Sequence, residues 1–340
     1  MRIAQVSTVA TPVRPTGAGS VESIVHSLTA EFTRLGHQVT VFAAAGSDAP
    51  CEVVETLSGT YAQNGAPGDW HLCEWINLCA AVERSGDFDV VHSHAYLWGV
   101  PLERVARCPM VHTLHVAPYA DDAALWQANP DACVTSISEC QWGSFPSLRP
   151  AAVVPHGVDP VQHTFQPEAG DYACFLGRFI PGKGPLEAIK AARALDLRVV
   201  LAGPRNDFYD HHVAPLVDGR DVEYAGPVGG ADRDALLGGA CVLLYPVQSP
   251  EPFGLVLIEA MMSGTPVAAF SIGAVPEIVD DGVTGCCVTA GGHLTDAVQG
   301  ALSLDRRAVR ERALERFTAE RMASRYTEVY ERVVERAWAL

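Results

Sequence analysis

The chain has 340 residues, of which 48% are apolar and 19% charged, as in globular proteins, and its length favours two domains. Its formal net charge of −16 argues against nucleic acid and against an anionic membrane surface as partners. No apolar run is long enough to span a bilayer and no signal peptide opens the sequence, so a cytoplasmic location is expected. Nothing in the sequence indicates an oligomeric state.

The first half of the chain alternates strand and helix patterns. "MRIAQVS" and "HQVTVFA" predict strands on either side of a helix over residues 21–35, whose apolar residues fall on one face. Ser20 is expected to cap this helix and Gly36 to end it. Further strands are predicted at "FDVVHSH", "PMVHTLH" and "ACVTSIS", whereas residues 51–86 have weak periodicity and predict no element.

The second half repeats this pattern after a proline-rich, aperiodic stretch. "YACFLG", "LRVVLAG", "CVLLYP" and "TPVAAF" predict strands, with helices between them at "GPLEAIKAARAL", "RDALLGGA" and "FGLVLIEAMMSG". The sequence therefore predicts an α/β protein with one domain over 1–150, a linker over 151–170, a second domain over 171–310 and a long amphipathic helical tail over 311–340. We expect two doubly wound, Rossmann-like domains facing a central cleft, with ligands at the carboxyl ends of the strands. The helical tail is expected to cross back to the N-terminal domain.

One candidate site is "GRFIPGKG", which follows a predicted strand. Arg178 and Lys183 are separated by a Pro-Gly turn, and a helix is predicted to start at Gly184 or Pro185. A guanidinium and an ammonium beside a helix start suit a diphosphate. Of 24 basic residues only Lys183 and Lys190 are lysines, which favours a specific role for Lys183. The alternative is a pair of solvated surface cations.

A second candidate site is "SPEPFGLVLIEAMMSG". If a helix begins near Gly254, Glu251 lies just ahead of its positive end and Glu259 about a turn and a half inside it. A carboxylate can accept hydrogen bonds from two neighbouring sugar hydroxyls, so the two glutamates fit a sugar at one end of a phosphate site and a ribose at the other. The alternative is a capping Glu251 and an exposed Glu259.

At this point the sequence resembles a known family. "EPFGLVLIE" is similar to the E-x7-E signature of retaining glycosyltransferases with the GT-B fold, specifically family 4. The resemblance extends over most of the chain, because other motifs of the family occur in the same order: "GSVE", "RLGHQVTVF", "DVVHSH", "TLH", "VPHGVD", "GRFIPGKG" and "GTPVAAFSIGAVPEIVDDGVTG". Each motif alone is weak, whereas the ordered set is specific.

The resemblance implies donor-binding and catalytic roles in the second half of the chain. Arg178 and Lys183 are implied to bind the donor diphosphate, and Glu259 to hold the ribose. Glu251 is implied to contact the transferred sugar, beside the backbone amides of Phe253, Gly254 and Leu255. No metal ion or other cofactor is implied, and the nucleotide sugar is a substrate.

In the first half, the resemblance implies that Gly19 lets the backbone approach the phosphates. His115 matches a histidine near the reacting carbon, and His94 lies in a comparable loop on the acceptor side; a structural role is the alternative for both. Five of the six tryptophans lie in this half, and Trp98 is the best candidate for an acceptor contact, with core packing as the alternative.

The sequence also departs from the family pattern. Ser20 stands where a second glycine is usual, and "LAGPRNDF" replaces a Gly-x-Gly loop, which leaves base recognition open. "DFD" at 87–89 resembles a metal-binding D-x-D motif, but it precedes its strand instead of following it, so no metal site is expected.

The predicted function is that of a retaining hexosyltransferase, which moves a sugar from a nucleoside-diphosphate donor to a hydroxyl of a soluble acceptor, either a small molecule, a natural product or a saccharide. Alternatives on the same fold are a nucleotide-sugar epimerase, a phosphorylase and a non-catalytic sugar-nucleotide-binding protein. A nicotinamide dehydrogenase is disfavoured, because "TGAGSVES" lacks the third glycine and no acid ends the next strand. The base, the sugar and the acceptor are not specified.

Overall fold

The structure is a computed structural model that describes residues 1–15, 19–61 and 69–338. Within these residues the chain packs as two units, the first formed by 1–157 and 319–340 and the second by 158–318. The strands of the first unit are β1 (Arg2–Val6), β2 (Gln38–Ala44), β3 (Glu52–Leu57), β4 (Val90–Ser93), β5 (Met110–Thr113), β6 (Cys133–Ser136) and β7 (Ala152–Val153). Those of the second are β8 (Tyr172–Leu176), β9 (Arg198–Ala202), β10 (Val222–Gly226), β11 (Val242–Tyr245), β12 (Val267–Phe270) and β13 (Gly285–Val288).

Helices connect the strands of each unit. The first unit contains α1 (Ser20–Arg34), α2 (Trp70–Glu83) and α3 (Ala120–Gln127). The second contains α4 (Pro185–Ala194), α5 (Gly230–Gly239), α6 (Leu255–Met262), α7 (Val275–Ile278), α8 (Leu294–Ala301) and α9 (Arg306–Arg316). The last helix, α10 (Ala319–Trp338), belongs to the first unit again. Among the residues described, no helix has the length and apolar character that a membrane span requires.

Each unit is built on one sheet in which all observed strand pairs are parallel. The strand order is β3-β2-β1-β4-β5-β6-β7 in the first sheet and β10-β9-β8-β11-β12-β13 in the second. All residues of β11 and β12 are buried, as expected for central strands covered on both faces. This architecture confirms the predicted fold class, two Rossmann-like α/β domains.

The strand orders also predict where ligands bind. The chain direction across the sheet reverses between β1 and β4 in the first unit and between β8 and β11 in the second. In open α/β sheets a ligand crevice forms outside the carboxyl ends of the strands at such a switch point. His94 follows β4, Arg178 and Lys183 follow β8, and Glu251 follows β11, so these candidate residues lie at switch points.

One local prediction was wrong, and one segment without a predicted element is structured. Ser20 does not cap α1, because the N-cap residue is Gly19 and Ser20 is the first helical residue. Residues 51–86, for which no element was predicted, contain β3 and α2. The apolar periodicity of α2 is blurred because its outer face is also apolar: Leu72, Trp75 and Ile76 are 50%, 36% and 37% exposed.

The helical tail is two helices instead of one. The helical conformation ends at Phe317, with φ −128° and ψ 33°, and Thr318 pairs in a β-bridge with Val158. The amide of Val158 donates to the carbonyl of Phe317 at 2.9 Å. Both sides of the break are strong helix formers, so the sequence pattern gives little sign of an interruption that a tertiary backbone contact imposes.

α10 completes the core of the first unit. Tyr326 and Tyr330 are 1% and 0% exposed, and their hydroxyls reach polar side chains of the central strands. Gln5 of β1 donates to the Tyr330 hydroxyl at 3.0 Å, and Thr113 of β5 lies 3.0 Å from that of Tyr326. A segment distant in sequence therefore supplies buried hydrogen-bond partners to the sheet.

Candidate active site

The loops that follow β8 and β11 contact each other closely. The amide of Gln248 donates to the carbonyl of Gly182 at 2.8 Å. Gly184, the N-cap residue of α4, has φ +69°, and a Cβ at this position would lie 2.0 Å from the carbonyl oxygen of Pro246. Glycine is therefore required here, both for its backbone conformation and for the close approach of the two loops.

This approach forms an ion pair between two of the predicted site residues. The Nζ atom of Lys183 contacts Oε1 of Glu251, and the two side chains are only 20% and 18% exposed. The Glu251 backbone is fixed as well, because the amide of Ala274 donates to its carbonyl at 3.0 Å. The sequence placed Lys183 and Glu251 in two separate candidate sites, which the family resemblance related to one donor; the structure places the two side chains in direct contact.

The other oxygen of Glu251 is held by a residue that the sequence did not indicate. The hydroxyl of Tyr245, the last residue of β11, donates to Oε2 at 2.5 Å. Tyr245 is 4% exposed, and burial, followed by the neighbouring carboxylate, raises the pKa of its phenol well above the ordinary value. Tyr245 therefore remains a hydrogen-bond donor at neutral pH.

The start of α6 lies beside this ion pair. α6 begins at Leu255, and its N-cap residue Gly254 has φ +106°, which confirms the predicted helix start. The first N–H groups of a helix have no acceptor within the helix and carry partial positive charge. The backbone after Phe253 thus presents donors three residues beyond Glu251, where an anion can be bound.

Arg178 lies near these groups in the chain but makes no comparable contact. Its side chain is exposed, two residues after β8, and within the described parts of the chain no hydrogen bond or ion pair of its guanidinium is found. The structure therefore places Arg178 at the same switch point as Lys183 without engaging its five N–H donors.

Glu259 is buried inside α6, in contrast to the alternative of an exposed position. It is 8% exposed, and its Oε2 atom forms an ion pair with Nη2 of Arg233 on α5. Arg233 is a further site residue that the sequence did not indicate. Because each carboxylate oxygen has two acceptor positions, Glu259 can still accept hydrogen bonds from a ligand while it is paired.

In the first unit, three histidines form a row beside the β1/β4 switch point. Nδ1 of His94 lies 2.9 Å from Nε2 of His115, and Nδ1 of His115 lies 3.3 Å from Nε2 of His156. His94 also contacts Oε1 of Gln5 through Nε2, at 2.9 Å. His94 and His115, predicted from separate motifs, are thus neighbours, and His156 from "VPHGVD" extends the row.

The direction of these hydrogen bonds follows from Gln5. Its amide nitrogen donates to Tyr330, so its oxygen accepts the Nε2 proton of His94. His94 then accepts from Nε2 of His115, and His115 accepts from Nε2 of His156. Both ring nitrogens of His115 are therefore engaged while the row is intact.

The histidines of this row are neutral at physiological pH. Burial lowers the pKa of His115 to about 3. Burial and the neighbouring imidazoles lower the pKa of His94 well below the ordinary value, and burial has the same effect on His156. The row of neutral imidazoles therefore links side chains beside the switch point through hydrogen bonds and adds no charge there.

Trp98 belongs to an aromatic group that follows β4. Its ring stacks on Tyr96, with centroids 4.7 Å apart and 26° between planes, and lies 5.5 Å from Trp70. The side chain is half-buried and also packs against the core of the first unit. Both interpretations of Trp98, core packing and a surface for a ligand, are compatible with this position.

Two buried carboxyl groups fix the loop after β1, and neither was indicated by the sequence. Glu22 accepts from the hydroxyl of Thr8 at 3.0 Å and from the amide of Thr11 at 3.1 Å. Glu74 of α2 accepts from the amide of Val9 at 3.0 Å. A Cβ at Gly19 would lie 2.1 Å from Oε2 of Glu22, so the glycine at this position has a steric reason within the protein itself.

Glu74 predicts a pH dependence of stability. Burial, with a smaller contribution from Glu22, raises the pKa of Glu74 to about 8, whereas the unfolded chain releases this proton near about 4.3. The folded state therefore binds more protons between these pH values, and the contribution of Glu74 to stability is lost as the pH rises toward about 8. Glu74→Gln keeps the acceptor for Val9 and is expected to stabilise the protein by up to about 5 kcal/mol at about pH 9 and little at about pH 4.5.

This prediction can be measured by denaturant unfolding at the two pH values. All six tryptophans lie in the first unit, so their fluorescence reports on the unit that contains Glu74. Glu83→Gln, an exposed position at the end of the same helix, serves as the control. An equal pH dependence in the wild-type and Glu74→Gln proteins would contradict the prediction.

Comparisons with known proteins show which families and folds the chain is similar to. Residues 162–316 match the family model described as glycosyl transferases group 1, and residues 21–162 match the model of glycosyltransferase family 4. The chain is 29% identical over 354 residues to a D-inositol 3-phosphate glycosyltransferase of Mycobacterium sp. (strain JLS), covering 86% of this chain and 79% of that protein.

Two solved structures have the same fold over nearly the whole chain. AviGT4, a glycosyltransferase involved in avilamycin A biosynthesis, is 27% identical, with a TM-score of 0.77 and 98% of each chain covered. HepE from Anabaena, in complex with UDP and glucose, is 20% identical, with a TM-score of 0.71 and coverage of 97% of this chain and 99% of that chain. The fold and these similarities identify a glycosyltransferase with the GT-B fold. The two matched models together support a glycosyltransferase of the family 4 type.

Proposed function

We propose that this glycosyltransferase retains the anomeric configuration while it moves a sugar from a nucleoside diphosphate to a hydroxyl of a soluble acceptor. The observation that carries the proposal is the Lys183–Glu251 ion pair at the β8/β11 switch point, beside the start of α6. A cation and free helix amides suit a diphosphate, and a carboxylate suits sugar hydroxyls. The second unit would hold the donor and the first unit the acceptor.

Each donor-side residue has a role in this proposal. Lys183, Arg178 and the amides of Gly254 and Leu255 would stabilise the diphosphate as negative charge develops on the leaving group. Glu259 would accept hydrogen bonds from the ribose, and Glu251 from the transferred sugar. Arg178, whose guanidinium is exposed in this structure, would supply a fork for a phosphate group.

The proposed reaction needs no bound metal or other cofactor, because the protein supplies the positive charge. The bond between the anomeric carbon and the diphosphate oxygen breaks, and a bond to the acceptor oxygen forms on the same face. The acceptor proton passes to a phosphate oxygen of the leaving group. Among residues 1–15, 19–61 and 69–338, no group of three His, Cys, Asp or Glu side chains is arranged to hold a metal ion.

On the acceptor side, Trp98 would provide a stacking surface, with His94 close to the same edge of the sheet. His115 would act through its place in the histidine row, because both of its nitrogens are engaged. The net charge of −16 supports a soluble acceptor over a lipid in an anionic membrane. The curated mycobacterial relatives, named for D-inositol 3-phosphate, suggest cyclitols and their phosphates among the first acceptors to try.

The experiment that tests the proposal is calorimetric titration with UDP, GDP, ADP and TDP, each with and without EDTA. Since the HepE complexes contain UDP, we expect UDP to bind and EDTA to have no effect. Product analysis with the matching nucleotide sugar follows, with and without acceptor, because an epimerase acts without acceptor and a phosphorylase requires inorganic phosphate. Binding of none of the four nucleotides would overturn the proposal.

A further inference from the structure

The hydrogen bonds of Glu251 identify a residue with no assigned role. One carboxylate oxygen contacts Lys183 and the other accepts from the Tyr245 hydroxyl at 2.5 Å. Tyr245 is the last residue of a fully buried strand, so its ring position is set by the core of the second unit. Two different groups, one flexible and one rigid, therefore hold the same carboxylate.

The Tyr245 hydroxyl also lies against the start of α6. A Cβ at Gly254 would be 2.6 Å from this hydroxyl oxygen, so the phenol lies directly on the N-cap residue. The single hydroxyl thereby fixes the distance between the Glu251 carboxylate and the backbone amides of α6. In the proposed function, Glu251 contacts the sugar and the amides of α6 contact the diphosphate, so that distance must match the separation of the two groups in the donor.

Donor binding would change the partners of Glu251. In the absence of donor, Lys183 is neutralised by Glu251. A diphosphate carries more negative charge than a single carboxylate and would compete for Lys183. Glu251, which is only 18% exposed, would then lose its cation and retain Tyr245 as its donor.

We propose that Tyr245 is a positioning residue, which holds Glu251 in place for the transferred sugar once Lys183 has exchanged Glu251 for the donor diphosphate. The inference rests on the proposed function and goes beyond it by separating recognition of the sugar from recognition of the diphosphate. Tyr245 acts through Glu251 and contacts neither phosphate nor the reacting carbon.

The test is Tyr245→Phe, which removes one oxygen atom and keeps the ring that packs in the core. Binding of the nucleoside diphosphate alone is expected to change by less than about twofold, because Lys183 and α6 remain. Binding of the nucleotide sugar should weaken and kcat should fall, each by about tenfold or more, which corresponds to the loss of one hydrogen bond to a charged group. Calorimetry with the two ligands, without acceptor, gives the first comparison, and steady-state kinetics the second.

Two further variants separate this role from a structural one. In a Glu251→Gln background, Tyr245→Phe should lower nucleotide-sugar affinity and kcat little further, since the residue through which Tyr245 acts is already altered. Glu251→Gln also leaves Lys183 unpaired, so the nucleoside diphosphate alone should bind more tightly than it does to the wild type. Tyr172→Phe, which removes a hydroxyl donating to the carbonyl of Leu236 at 2.9 Å in the same unit, should affect neither ligand.

The inference would be overturned by additive losses of nucleotide-sugar affinity in the double variant. It would also be overturned if Tyr245→Phe weakened binding of the nucleoside diphosphate as much as binding of the nucleotide sugar. If Tyr245→Phe does not fold, Glu251→Asp replaces it: the carboxylate is withdrawn by one methylene from Tyr245, and the same selective loss of the nucleotide sugar is expected. A wild type that binds no nucleotide would instead contradict the proposed function itself. The two failures are therefore distinguishable.

Discussion

Glu259→Ala is expected to weaken binding of the nucleoside diphosphate by about a hundredfold, which corresponds to two hydrogen bonds between a carboxylate and the ribose hydroxyls. Glu259 lies on α6 and is 8% exposed, so its carboxylate is largely shielded from water. A hydrogen bond formed there gains strength from the low local polarity. Calorimetric titration with the nucleotide that binds the wild type measures the effect.

The ion pair between Glu259 and Arg233 requires a second comparison. Removal of Glu259 leaves Arg233 without this partner, so a loss of affinity could arise from a displaced arginine. If so, Arg233→Ala should reproduce the whole loss, whereas direct ribose binding predicts a clearly smaller effect. Glu187→Ala, at a more exposed glutamate of α4 in the same unit, is the matched control. Unchanged affinity in a folded Glu259→Ala protein would remove this residue from the site.

Lys183→Ala is expected to lower kcat by at least about tenfold, by analogy with other fixed charges that stabilise a developing anion. The ammonium group is held where it can reach the diphosphate, on a turn that is clamped to the loop after β11. Its removal also leaves the Glu251 carboxylate without a cation beside the leaving group, which opposes the charge that develops there. Initial-rate kinetics with saturating donor measures the effect.

The chain offers a close control for this prediction. Lys190 is the second of the two lysines, lies on α4 and is 79% exposed at its side chain. Lys190→Ala removes the same charge seven residues away and should leave kcat unchanged. Lys183→Arg should recover only part of the activity, because a planar guanidinium does not occupy the space of an ammonium group. Full activity of Lys183→Ala would exclude the proposed role.

Much of the fold could be predicted because its signals are local. Short apolar strands and amphipathic helices alternate, and their periodicity is visible over ten residues or so. α2 could not be predicted in this way, since its exposed face carries Leu72, Trp75 and Ile76. The break between α9 and α10 could not either, because it depends on a backbone contact between Val158 and Phe317, far apart in the sequence.

Part of the candidate site could also be predicted from the sequence, because the signals of that part are local. Lys183, Glu251 and Glu259 lie in motifs after strands or at a helix start, which sequence spacing reveals. Tyr245 lies at the end of an apolar strand, where an aromatic residue is typical of core packing, and Arg233 lies on a polar helix where arginine is common. One signal was available for Tyr245: it ends its strand at the switch point, where side chains leave the core and reach ligands.

The return of α10 to the first unit has a consequence for the order of folding during synthesis. Domains generally fold as they leave the ribosome, the N-terminal one first. Here Tyr326 and Tyr330 complete the core and the polar network of the first unit, yet they are made only after every residue of the second unit. The second unit can therefore fold while the first still lacks a helix, and until then Gln5 and His92 lack the hydroxyl that joins them in the finished protein. A nascent chain stalled before α10 should accordingly protect its second unit from proteases before its first.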